Sequence, residues 1–404
     1  MPQIYKRNVI DDIARYLHTD EIIVLHGARQ VGKTSIMLYL QEQMERVGFM
    51  TFFMDLEDSR LVRVLDGGID EFRKHLRGEG ILNDQQQKKS FIFIDEIQYL
   101  ARPSEFLKLA ADHHKDIKLI VSGSSSFAIK SKFKDSLVGR TVDFEIFNLS
   151  FSEFLVFQGI PFFGDEFSEN KIAELKSRFK EYALYGGYPR IALTAEVFRK
   201  EKYLQQIIDT YIKMDIRDLA NIREPDKFNK LLETLAAQSG QILNVAELAN
   251  TTKIAKPTIE RYLFILENTY IIKLVRPYSS NLRSELFKLP KIFFYDTGLA
   301  QMLWLKGLPK ELLGSVFETA LFAELVKKYR PDSIFYWRTT DKREIDFIIK
   351  AKDKFLPVEV KINFAQFNPT AVKYFNKHYG LDDYRLIALD GAPKNEKEIY
   401  PWGL

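Results

Sequence analysis

Apolar residues in the first third of the chain occur in short continuous runs separated by helical patterns, which predicts an α/β architecture. The run Ile22-Ile23-Val24-Leu25 predicts a buried strand, and Ile36 to Met44 continues with helical spacing. A continuous apolar run suits a strand of a parallel sheet, because helices cover both faces of such a sheet. Three further strands of this kind are predicted at Met50 to Leu56, Phe91 to Ile94 and Ile117 to Val121.

Helical patterns flank this sheet and then dominate the chain as far as residue 222. Residues 5–18 and Leu61 to Leu76 each predict one helix. Helical periodicity continues from Phe151 to Ile222, with an interruption at Tyr185-Gly186-Gly187-Tyr188-Pro189. Glycines commonly end a helix and proline commonly begins one, so two helices are predicted to meet at this turn.

A different order of elements begins near residue 225. A helix from Val245 to Ala249, a turn, and a helix from Thr258 to Asn268 give a helix-turn-helix layout. The segments Ile271 to Val275 and Ile292 to Tyr295 then predict two strands around a polar hairpin. Together these elements predict a winged helix-turn-helix.

The C-terminal part predicts a helix, three strands, a second helix and a fourth strand. Their positions are Val316 to Lys328, Ile334 to Arg338, Glu344 to Ile349, Phe355 to Val360, Pro369 to Lys377 and Arg385 to Leu389. The patterns divide the chain into four predicted domains: a sheet domain at 1–150, a helical lid or linker at 151–224, a winged helix at 225–300 and a C-terminal α/β domain at 301–404.

Composition narrows the chemistry that is available to the chain. Its 404 residues, 46% of them apolar, are enough for two or three domain cores. The absence of cysteine excludes disulfides, thiolate zinc sites and cysteine catalysis. A net charge of +4 is too small to identify a nucleic-acid binder by itself. No apolar run approaches the roughly 18 residues of a membrane span, so we expect a soluble, cytoplasmic protein with no membrane partner.

The connection between the first strand and its helix, Gly27-Ala28-Arg29-Gln30-Val31-Gly32-Lys33-Thr34, has the Walker A pattern. Its glycines let backbone N–H groups surround a polyphosphate at the helix N-terminus. Lys33 is predicted to reach the β and γ oxygens, and the Thr34 hydroxyl to ligate Mg²⁺. With Ser35, this loop is the predicted ATP site, and Arg7, at the start of the first predicted helix, could approach the nucleotide base.

The run Phe91 to Ile94 ends in two carboxylates, Asp95 and Glu96, which is the Walker B form. Ligands of open α/β sheets bind at the C-terminal ends of the strands, where these carboxylates would lie. Asp95 is predicted to hold the magnesium ion, directly or through water. Glu96 is predicted to polarise the water that attacks the phosphate.

Three further residues are candidates for contact with the γ-phosphate. Ser122 or Ser124, after the strand Ile117 to Val121, could be a sensor hydroxyl, although a simple Ser/Gly turn explains the same pattern. Arg140 could be an arginine finger, in its own subunit or in a neighbouring one of a homo-oligomer. An ordinary surface arginine is an equally good interpretation.

Basic residues are concentrated in the predicted winged helix. Between Lys253 and Lys291 there are eight basic and three acidic residues, a larger excess than in the whole chain. Lysine and arginine neutralise phosphates whatever the base sequence, so this excess favours DNA as a partner. Winged helices also serve as protein-docking modules, and that alternative stays open.

The C-terminal domain carries a second candidate metal site. Asp346 lies on the second predicted strand, and Glu359-Val360-Lys361 ends the third. Two carboxylates that fix a divalent ion beside a lysine are the arrangement of a magnesium-dependent nuclease, with Glu318 as a further partner. As an isolated triplet, Glu-x-Lys is more often a solvated strand face.

With these residues assembled, the chain resembles a bacterial and archaeal family of AAA+ class P-loop ATPases. The C-terminal half of that family is a domain of unknown function related to PD-(D/E)-x-K restriction endonucleases. The resemblance implies ATP binding and hydrolysis with Mg²⁺ and a nuclease-like C-terminal fold. The proline that usually opens the PD motif is absent, because Ile345 precedes Asp346. The segments that carry the resemblance, besides the Walker A loop, are Phe93-Ile94-Asp95-Glu96-Ile97-Gln98, Gly123-Ser124-Ser125, Gly139-Arg140, Gly186-Gly187-Tyr188-Pro189, Tyr295-Asp296-Thr297-Gly298-Leu299, Glu344-Ile345-Asp346 and Glu359-Val360-Lys361.

Three functional hypotheses remain at this stage. The first is an ATP-driven switch or motor that acts on DNA with the nuclease-like domain as its effector. The second is a protein-remodelling or signalling ATPase whose winged helix docks a protein and whose C-terminal domain is an inactive scaffold. The third, a small-molecule kinase, is disfavoured by Asp95-Glu96, because a kinase needs no carboxylate to activate water.

Overall fold

A computed structural model describes residues 4–83, 88–123, 137–162, 164, 167–216, 222–279, 289–351 and 354–404. Ser124 and the predicted hairpin tip at 280–288 therefore lie outside the described residues. The chain forms two compact units, Met1–Phe147 and Asn148–Leu404. The first unit ends three residues before the predicted boundary at 150, and the three other predicted domains lie within the second.

The first unit is built around a parallel sheet of five strands in the order β2-β3-β4-β1-β5. The strands are β1 Ile22–His26, β2 Thr51–Asp55, β3 Ser90–Asp95, β4 Ile117–Gly123 and β5 Thr141–Glu145. The helices are α1 Val9–Ala14, α2 Lys33–Arg46, α3 Ser59–Asp66, α4 Ile69–Gly78 and α5 Pro103–His113. Every residue of β1, β3 and β4 is buried, as the continuous apolar runs predict.

Two helices of this unit differ from the prediction. The helix expected over residues 5–18 is confined to α1, and turns follow it to the first strand. The helix expected from Leu61 to Leu76 is divided into α3 and α4 at Gly67-Gly68. Gly68 has φ 98° and ψ 178°, a conformation that no helical residue adopts, so the glycine pair ends one helix and starts the next.

The second unit begins with helices. These are α6 Phe151–Phe157, α7 Glu169–Tyr185, α8 Pro189–Ala192, α9 Val197–Ile207 and a π-helical segment Ile208–Ile216. Ser150 caps α6 through a capping box with Glu153, and Ser168 caps α7. The helix α7 ends at Gly186 and Pro189 opens α8, as the sequence predicts.

Three helices and two antiparallel strands follow. They are α10 Pro225–Ala237, α11 Val245–Thr252, α12 Lys256–Asn268, β6 Ile272–Val275 and β7 Lys291–Phe294. The Asn244 side chain caps α11 by accepting from the backbone N–H groups of Ala246 and Glu247. The two helices α11 and α12 and the two strands occur in the order that the sequence predicts, whereas the helix α10 was not predicted.

The rest of the chain forms a mixed sheet with the order β12-β11-β10-β9-β8. A short helix α13, Thr297–Leu305, precedes it and was not predicted. The remaining elements are α14 Gly314–Lys328, β8 Ile334–Arg338, β9 Glu344–Ala351, β10 Lys354–Asn363, α15 Thr370–Tyr379, β11 Arg385–Asp390 and β12 Glu398–Ile399. Strands β8, β9 and β10 are antiparallel, whereas β10, β11 and β12 are parallel.

Within the described residues, no helix is long and apolar enough to cross a membrane.

Candidate functional site

The loop after β1 makes a turn that only glycine permits at its first position. A Cβ atom on Gly27 would lie 2.1 Å from the carbonyl oxygen of Ile146. Gly32, immediately before α2, has φ 98°, and Gln30 has φ 63°. These left-handed residues fold the chain back over the start of the helix, which is the shape that a phosphate-binding loop requires.

Lys33 is the first residue of α2, and its ammonium group lies inside the loop. Its Nζ donates hydrogen bonds to the carbonyl oxygens of Gly27 (3.0 Å) and Ala28 (2.8 Å). Only 5% of the residue is exposed, and this burial lowers the pKa of Lys33 to about 8. The charge is costly because it is desolvated, so an anion in the loop would stabilise it.

Arg7 supports the loop from behind. It is buried, and its guanidinium donates to the carbonyl oxygens of Val31 and Phe147, both at 2.9 Å. One of these carbonyls, that of Val31, belongs to the loop, and an approach of Arg7 to a nucleotide base stays a prediction.

Asp95, the last residue of β3, lies at the centre of a hydrogen-bond network. Its Oδ2 accepts from the Thr34 hydroxyl at 2.6 Å, and its Oδ1 accepts from the hydroxyl of Ser122 and the backbone N–H of Glu96. Ser122 is the penultimate residue of the neighbouring strand β4, so one of the two predicted sensor hydroxyls orients the Walker B aspartate. Thr34 and Asp95 together present the hard oxygen donors that Mg²⁺ prefers.

Glu96 has an uncommon backbone conformation. Its φ is 57° and its ψ is 48°, a left-handed geometry that few non-glycine residues adopt and that occurs often at functional sites. The Gln98 amide donates a hydrogen bond to Glu96 Oε2 and so holds the carboxylate. Gln98 belongs to the segment Phe93 to Gln98 that carries the family resemblance, but sequence reasoning did not assign it this role.

Arg140 lies away from the loop within its own subunit. It precedes β5, and its backbone carbonyl accepts from Ile22, the first residue of β1. The loop follows the other end of β1, a strand of five residues, which is about 16 Å long. Arg140 forms an ion pair with Asp112, with Nε 2.7 Å from Oδ1. The prediction that Arg140 is an arginine finger in its own subunit is therefore wrong, because Arg140 lies at the N-terminal ends of the strands and the loop lies at their C-terminal ends.

A second group of charged side chains lies in the second unit, on β9 and β10. Asp346 accepts a hydrogen bond from the backbone N–H of Val360 at 2.8 Å. The Lys361 ammonium joins the two acids, 3.0 Å from Asp346 Oδ2 and 2.8 Å from Glu359 Oε2. Burial, together with the nearby charge of Asp346, raises the pKa of Glu359 to about 8. The strand register thus brings together the three residues that the sequence singles out.

Lys291 and Glu344 extend this group, and sequence reasoning did not assign them to it. The Lys291 ammonium lies 3.0 Å from Glu318 Oε1 and 2.6 Å from Glu344 Oε1. Burial would lower the pKa of Lys291, but the charges of Glu318, Asp346 and Glu344 raise it instead. Burial and the charge of Asp346 raise the pKa of Glu318 to about 7. A lysine at the start of the buried strand Lys-Ile-Phe-Phe was the signal that could have revealed this contact.

To the predicted metal site at Asp346 and Glu359, with its partners Glu318 and Lys361, the structure adds one carboxylate, Glu344, and one ammonium group, Lys291. In the parts of the chain that the structure describes, no group of three or more histidine, aspartate or glutamate side chains is placed to hold a metal ion. Lys361 and Lys291 supply two positive charges to the four acids, so they offset only part of the negative charge that the group carries when all four acids are ionised. A metal ion here stays a prediction.

The glycines of the Gly186-Gly187 turn contact the Asp296 motif, which the sequence could not show. Asp296 is buried, and its Oδ2 accepts from Gly187 N (2.8 Å) and Asn148 Nδ2 (2.5 Å). Its Oδ1 caps α13 by accepting from Leu299 N at 2.8 Å. A Cβ atom on Gly186 would lie 2.2 Å from Asp296 Oδ1. The two motifs are therefore halves of one buried contact.

The basic surface between Lys253 and Lys291 is smaller than its residue count suggests. Lys291 is buried against Glu318 and Glu344, and Lys273 lies 2.8 Å from Asp332. Among the described residues of this segment, the exposed cations are Lys253, Lys256, Arg261 and Arg276. Lys256 begins α12, and Arg261 lies on its exposed face.

Comparison with known families adds an independent observation. Residues 19–155 match the family model described as AAA domain. The first unit is an AAA-type P-loop domain. Residues 176–311 and 313–398 match two domains of unknown function, DUF8612 and DUF4143. The description of neither domain states an activity.

Similar proteins span most of the chain. An uncharacterized protein of Haemophilus influenzae is 25% identical over 407 residues, covering 98% of this chain and 95% of that protein. An uncharacterized protein of Methanocaldococcus jannaschii is 27% identical over 358 residues, covering 86% of this chain and 77% of that protein. Among solved structures, the Walker-type ATPase PABY2304 of Pyrococcus abyssi is 17% identical, covers 74% of this chain and 96% of its own, and has a TM-score of 0.44.

Proposed function

We propose that the chain is a Mg²⁺-dependent ATPase that acts on DNA. The observation that carries the ATPase proposal is the contact between the Thr34 hydroxyl and Asp95 Oδ2 at 2.6 Å, next to the buried ammonium of Lys33. This pairing supplies the two oxygen donors and the cation that a Mg²⁺-polyphosphate needs, at the end of the sheet where ligands of this fold class bind.

Each residue then has one role in hydrolysis. Thr34 and Asp95 would hold Mg²⁺, which when bound neutralises charge on the phosphate oxygens. When a nucleotide binds, the Lys33 ammonium would give up its hydrogen bonds to the two loop carbonyl oxygens and donate to the β and γ phosphate oxygens instead. Ser122 keeps Asp95 oriented, and Glu96, held by Gln98, would accept a proton from the attacking water. Arg140 could contribute only to the site of a neighbouring subunit.

The DNA proposal rests on the exposed cations of a helix-turn-helix order of elements. We propose that α10 to α12 with β6 and β7 form a winged helix and that α12 contacts phosphates through Lys256 and Arg261. The deciding measurement is ATP turnover by the full chain with no DNA, with single-stranded DNA and with double-stranded DNA. Strong stimulation by one nucleic acid supports this function, and an unchanged rate with both would exclude it.

Charge reversal at Lys256 and Arg261 should weaken DNA binding by about tenfold or more and should do so for most sequences alike. Each phosphate contact contributes about 0.9 to the slope of log affinity against log salt, so losing two should reduce the slope by about 1.8. Fluorescence anisotropy of a labelled duplex at several salt concentrations measures both quantities.

Lys310→Glu with Lys394→Glu is the matched control for this experiment. Both lysines are exposed, both lie outside the proposed winged helix, and the change in net charge is the same. The control should bind DNA nearly as the wild type does. Equal losses in the two double variants would mean that only the overall charge matters.

Several lysines of the second unit are already engaged in ion pairs with acidic side chains, and this observation favours one alternative function. Lys273 and Lys291 are neutralised, and Lys361 already bridges Asp346 and Glu359. These contacts suit a protein-remodelling or signalling ATPase with a protein-docking winged helix and an inactive nuclease-like scaffold. The leading proposal instead treats the C-terminal sheet as a PD-(D/E)-x-K nuclease-like effector.

Metal binding separates an active nuclease-like site from a scaffold. Wild-type protein without nucleotide should bind Mn²⁺ in calorimetry, and Asp346→Asn should lose this binding, because the amide keeps the shape but removes the charged ligand. Binding should strengthen from about pH 6 to about pH 8.5, since Glu318 and Glu359 must lose protons first. The full chain is needed because Lys291, outside the C-terminal domain, contacts Glu318 and Glu344.

Two controls define the outcome of the calorimetry. Asp341→Asn changes an exposed aspartate in the turn between β8 and β9 and should bind as the wild type does. Asp95→Asn removes the proposed metal ligand of the first unit, so any Mn²⁺ that this variant binds is held elsewhere in the chain. If the Asp95 variant binds no Mn²⁺, or if wild type and Asp346→Asn bind equally, the C-terminal residues are a scaffold.

A further inference from the structure

The helix α15 covers one face of the C-terminal sheet and presents a basic face to solvent. Val372 and Phe375 are buried in an apolar cluster with residues of β8 and β9. Lys373 and Lys377 are exposed about one helical turn apart, and neither forms an ion pair with a described residue. The ten residues of α15 include no acid. Unpaired lysines on a helix without acids form a positive surface, which favours an anionic partner.

Tyr374 places an aromatic ring between these two lysines in the sequence, and 44% of the residue is exposed. The buried Trp337 of β8 packs against it, with ring centroids 6.0 Å apart and 34° between the ring planes. His378, one turn further along α15, lies with its ring centroid 6.4 Å away and its plane within 6° of that of Tyr374. The Tyr374 ring is therefore held by its neighbours while much of it faces solvent.

The turn between β8 and β9 adds a guanidinium group to this ring. Arg343 Cζ lies 4.4 Å from the Tyr374 ring centroid, which is within the range of a cation–π contact. Arg343 Nη2 also lies 3.1 Å from Asp341 Oδ2, so part of its charge is offset. The backbone of the turn is fixed, because Arg343 N donates to Thr339 Oγ1 at 3.1 Å and Thr339 N donates to the Arg343 carbonyl oxygen at 2.9 Å. A closed turn thus holds the arginine at the ring.

We propose that the Tyr374 surface, formed by Tyr374, Arg343, Lys373 and Lys377, binds single-stranded nucleic acid. One base would stack on the exposed part of the Tyr374 ring, and the lysines would contact phosphates. Proteins that hold single strands without reading their sequence combine aromatic rings with a positive surface in this way. The bases of a duplex are stacked on one another, so a single strand is the form that offers a base to the ring. The surface lies outside the proposed winged helix, and its binding does not depend on the DNA contact proposed for α12.

Fluorescence anisotropy with the full chain and a labelled thymidine oligonucleotide of about twelve nucleotides tests the proposal. Tyr374→Ala should weaken binding by about five- to 100-fold, the loss expected of one stacked base, whereas Tyr374→Phe keeps the ring and should bind nearly as the wild type does. Phe198→Ala on α9 is the matched control. Phe198 is an aromatic residue that is 65% exposed, with Arg199 Cζ 5.7 Å from its ring centroid, and its loss should leave binding unchanged.

An abasic oligonucleotide of the same length separates stacking from charge. It keeps the phosphates and lacks the bases, so the wild type should bind it at least about fivefold more weakly than the thymidine strand, and Tyr374→Ala should bind it as the wild type does. Lys373→Glu with Lys377→Glu should reduce the slope of log affinity against log salt by about 1.4, because each phosphate contact of a single strand contributes about 0.7.

A uridine oligonucleotide extends the test to RNA. Binding of either strand that depends on Tyr374 supports the proposal, and the tighter of the two identifies the nucleic acid. Charge reversal at Lys256 and Arg261 should leave this binding in place, so the winged-helix proposal and this one can fail separately. If Tyr374→Ala, folded by its thermal unfolding curve, binds both strands normally, or if the wild type binds neither strand, the proposal is wrong. Equal binding of the abasic and thymidine strands by the wild type would also overturn it, because the surface would then attract any polyanion.

Discussion

Glu96→Gln should bind ATP as the wild type does and hydrolyse it at least about 100-fold more slowly. The amide keeps the size of the side chain, so nucleotide affinity, which depends on the loop and on Lys33, is retained. It cannot take a proton from water, and general-base catalysis of this kind contributes about 10²–10⁴-fold. Phosphate release under saturating ATP and titration with a fluorescent ATP analogue measure the two quantities separately.

Lys33→Ala is the companion variant, and it should fail at ATP binding, the step that Glu96→Gln retains. Its loop lacks the ammonium that faces the β and γ oxygens, so binding itself should be lost. Glu105→Gln, an exposed glutamate of the same unit, is the matched control for Glu96→Gln and should turn over normally. Wild-type turnover by Glu96→Gln would remove Glu96 from the mechanism, and another group would then have to activate the water.

The nucleotide loop could be predicted from sequence because its chemistry dictates residue types at fixed spacing. A backbone that wraps around phosphates needs glycine where a side chain would collide, as Gly27 would with Ile146. It also needs a cation and a hydroxyl at the start of the following helix, and Lys33 and Thr34 are there. These constraints are local, so eight consecutive residues contain them.

Two of the elements that sequence reasoning missed give a weak signal. The strand β5 is an edge strand of only five residues, and although Val142 and Phe144 alternate with polar residues, none of its residues is fully buried. The helix α13 is buried through most of its length, so it has no polar face to indicate a helical period. The break between α3 and α4 depends on one glycine conformation at Gly68.

Most of the missed site contacts join residues that are far apart in sequence, the contact between Gln98 and Glu96 being the exception. Lys291 contacts Glu344, more than fifty residues further along the chain, and Arg140, just before β5, contacts Asp112 on α5. Which charges meet depends on how the sheets are ordered, and a pattern along one segment contains no information about this order. The same reason hid the partner of the Gly186-Gly187 turn, although both motifs were recognised.

Gly186→Ala should reduce the unfolding free energy of the second unit by about 4 kcal/mol or more, a loss that is exceptional for one methyl group. Gly186 has φ 82° and ψ 179°, a region that is essentially restricted to glycine and costs about 1–3 kcal/mol for other residues. The new Cβ atom would also lie 2.2 Å from Asp296 Oδ1 and 2.6 Å from Oδ2. The carboxylate would have to move away from Gly187, Asn148 and Leu299, which leaves a buried acid without its donors.

Tryptophan fluorescence during urea unfolding reports this loss, because all three tryptophans, Trp304, Trp337 and Trp402, lie in the second unit. Gly68→Ala is the control for backbone strain: its φ of 98° and ψ of 178° are similar, and a Cβ atom there would have no neighbour within 4 Å. By circular dichroism it should cost the first unit only about 1–3 kcal/mol.

Asp296→Ser separates the collision from the strain at Gly186. In that background the carboxylate is gone, so adding Gly186→Ala should cost at least about 2 kcal/mol less than it does in the wild type. This non-additivity is the signature of two motifs that form one contact. If the two changes add, or if Gly186→Ala costs no more than Gly68→Ala, then the Asp296 carboxylate tolerates the methyl group and the motifs are retained for another reason.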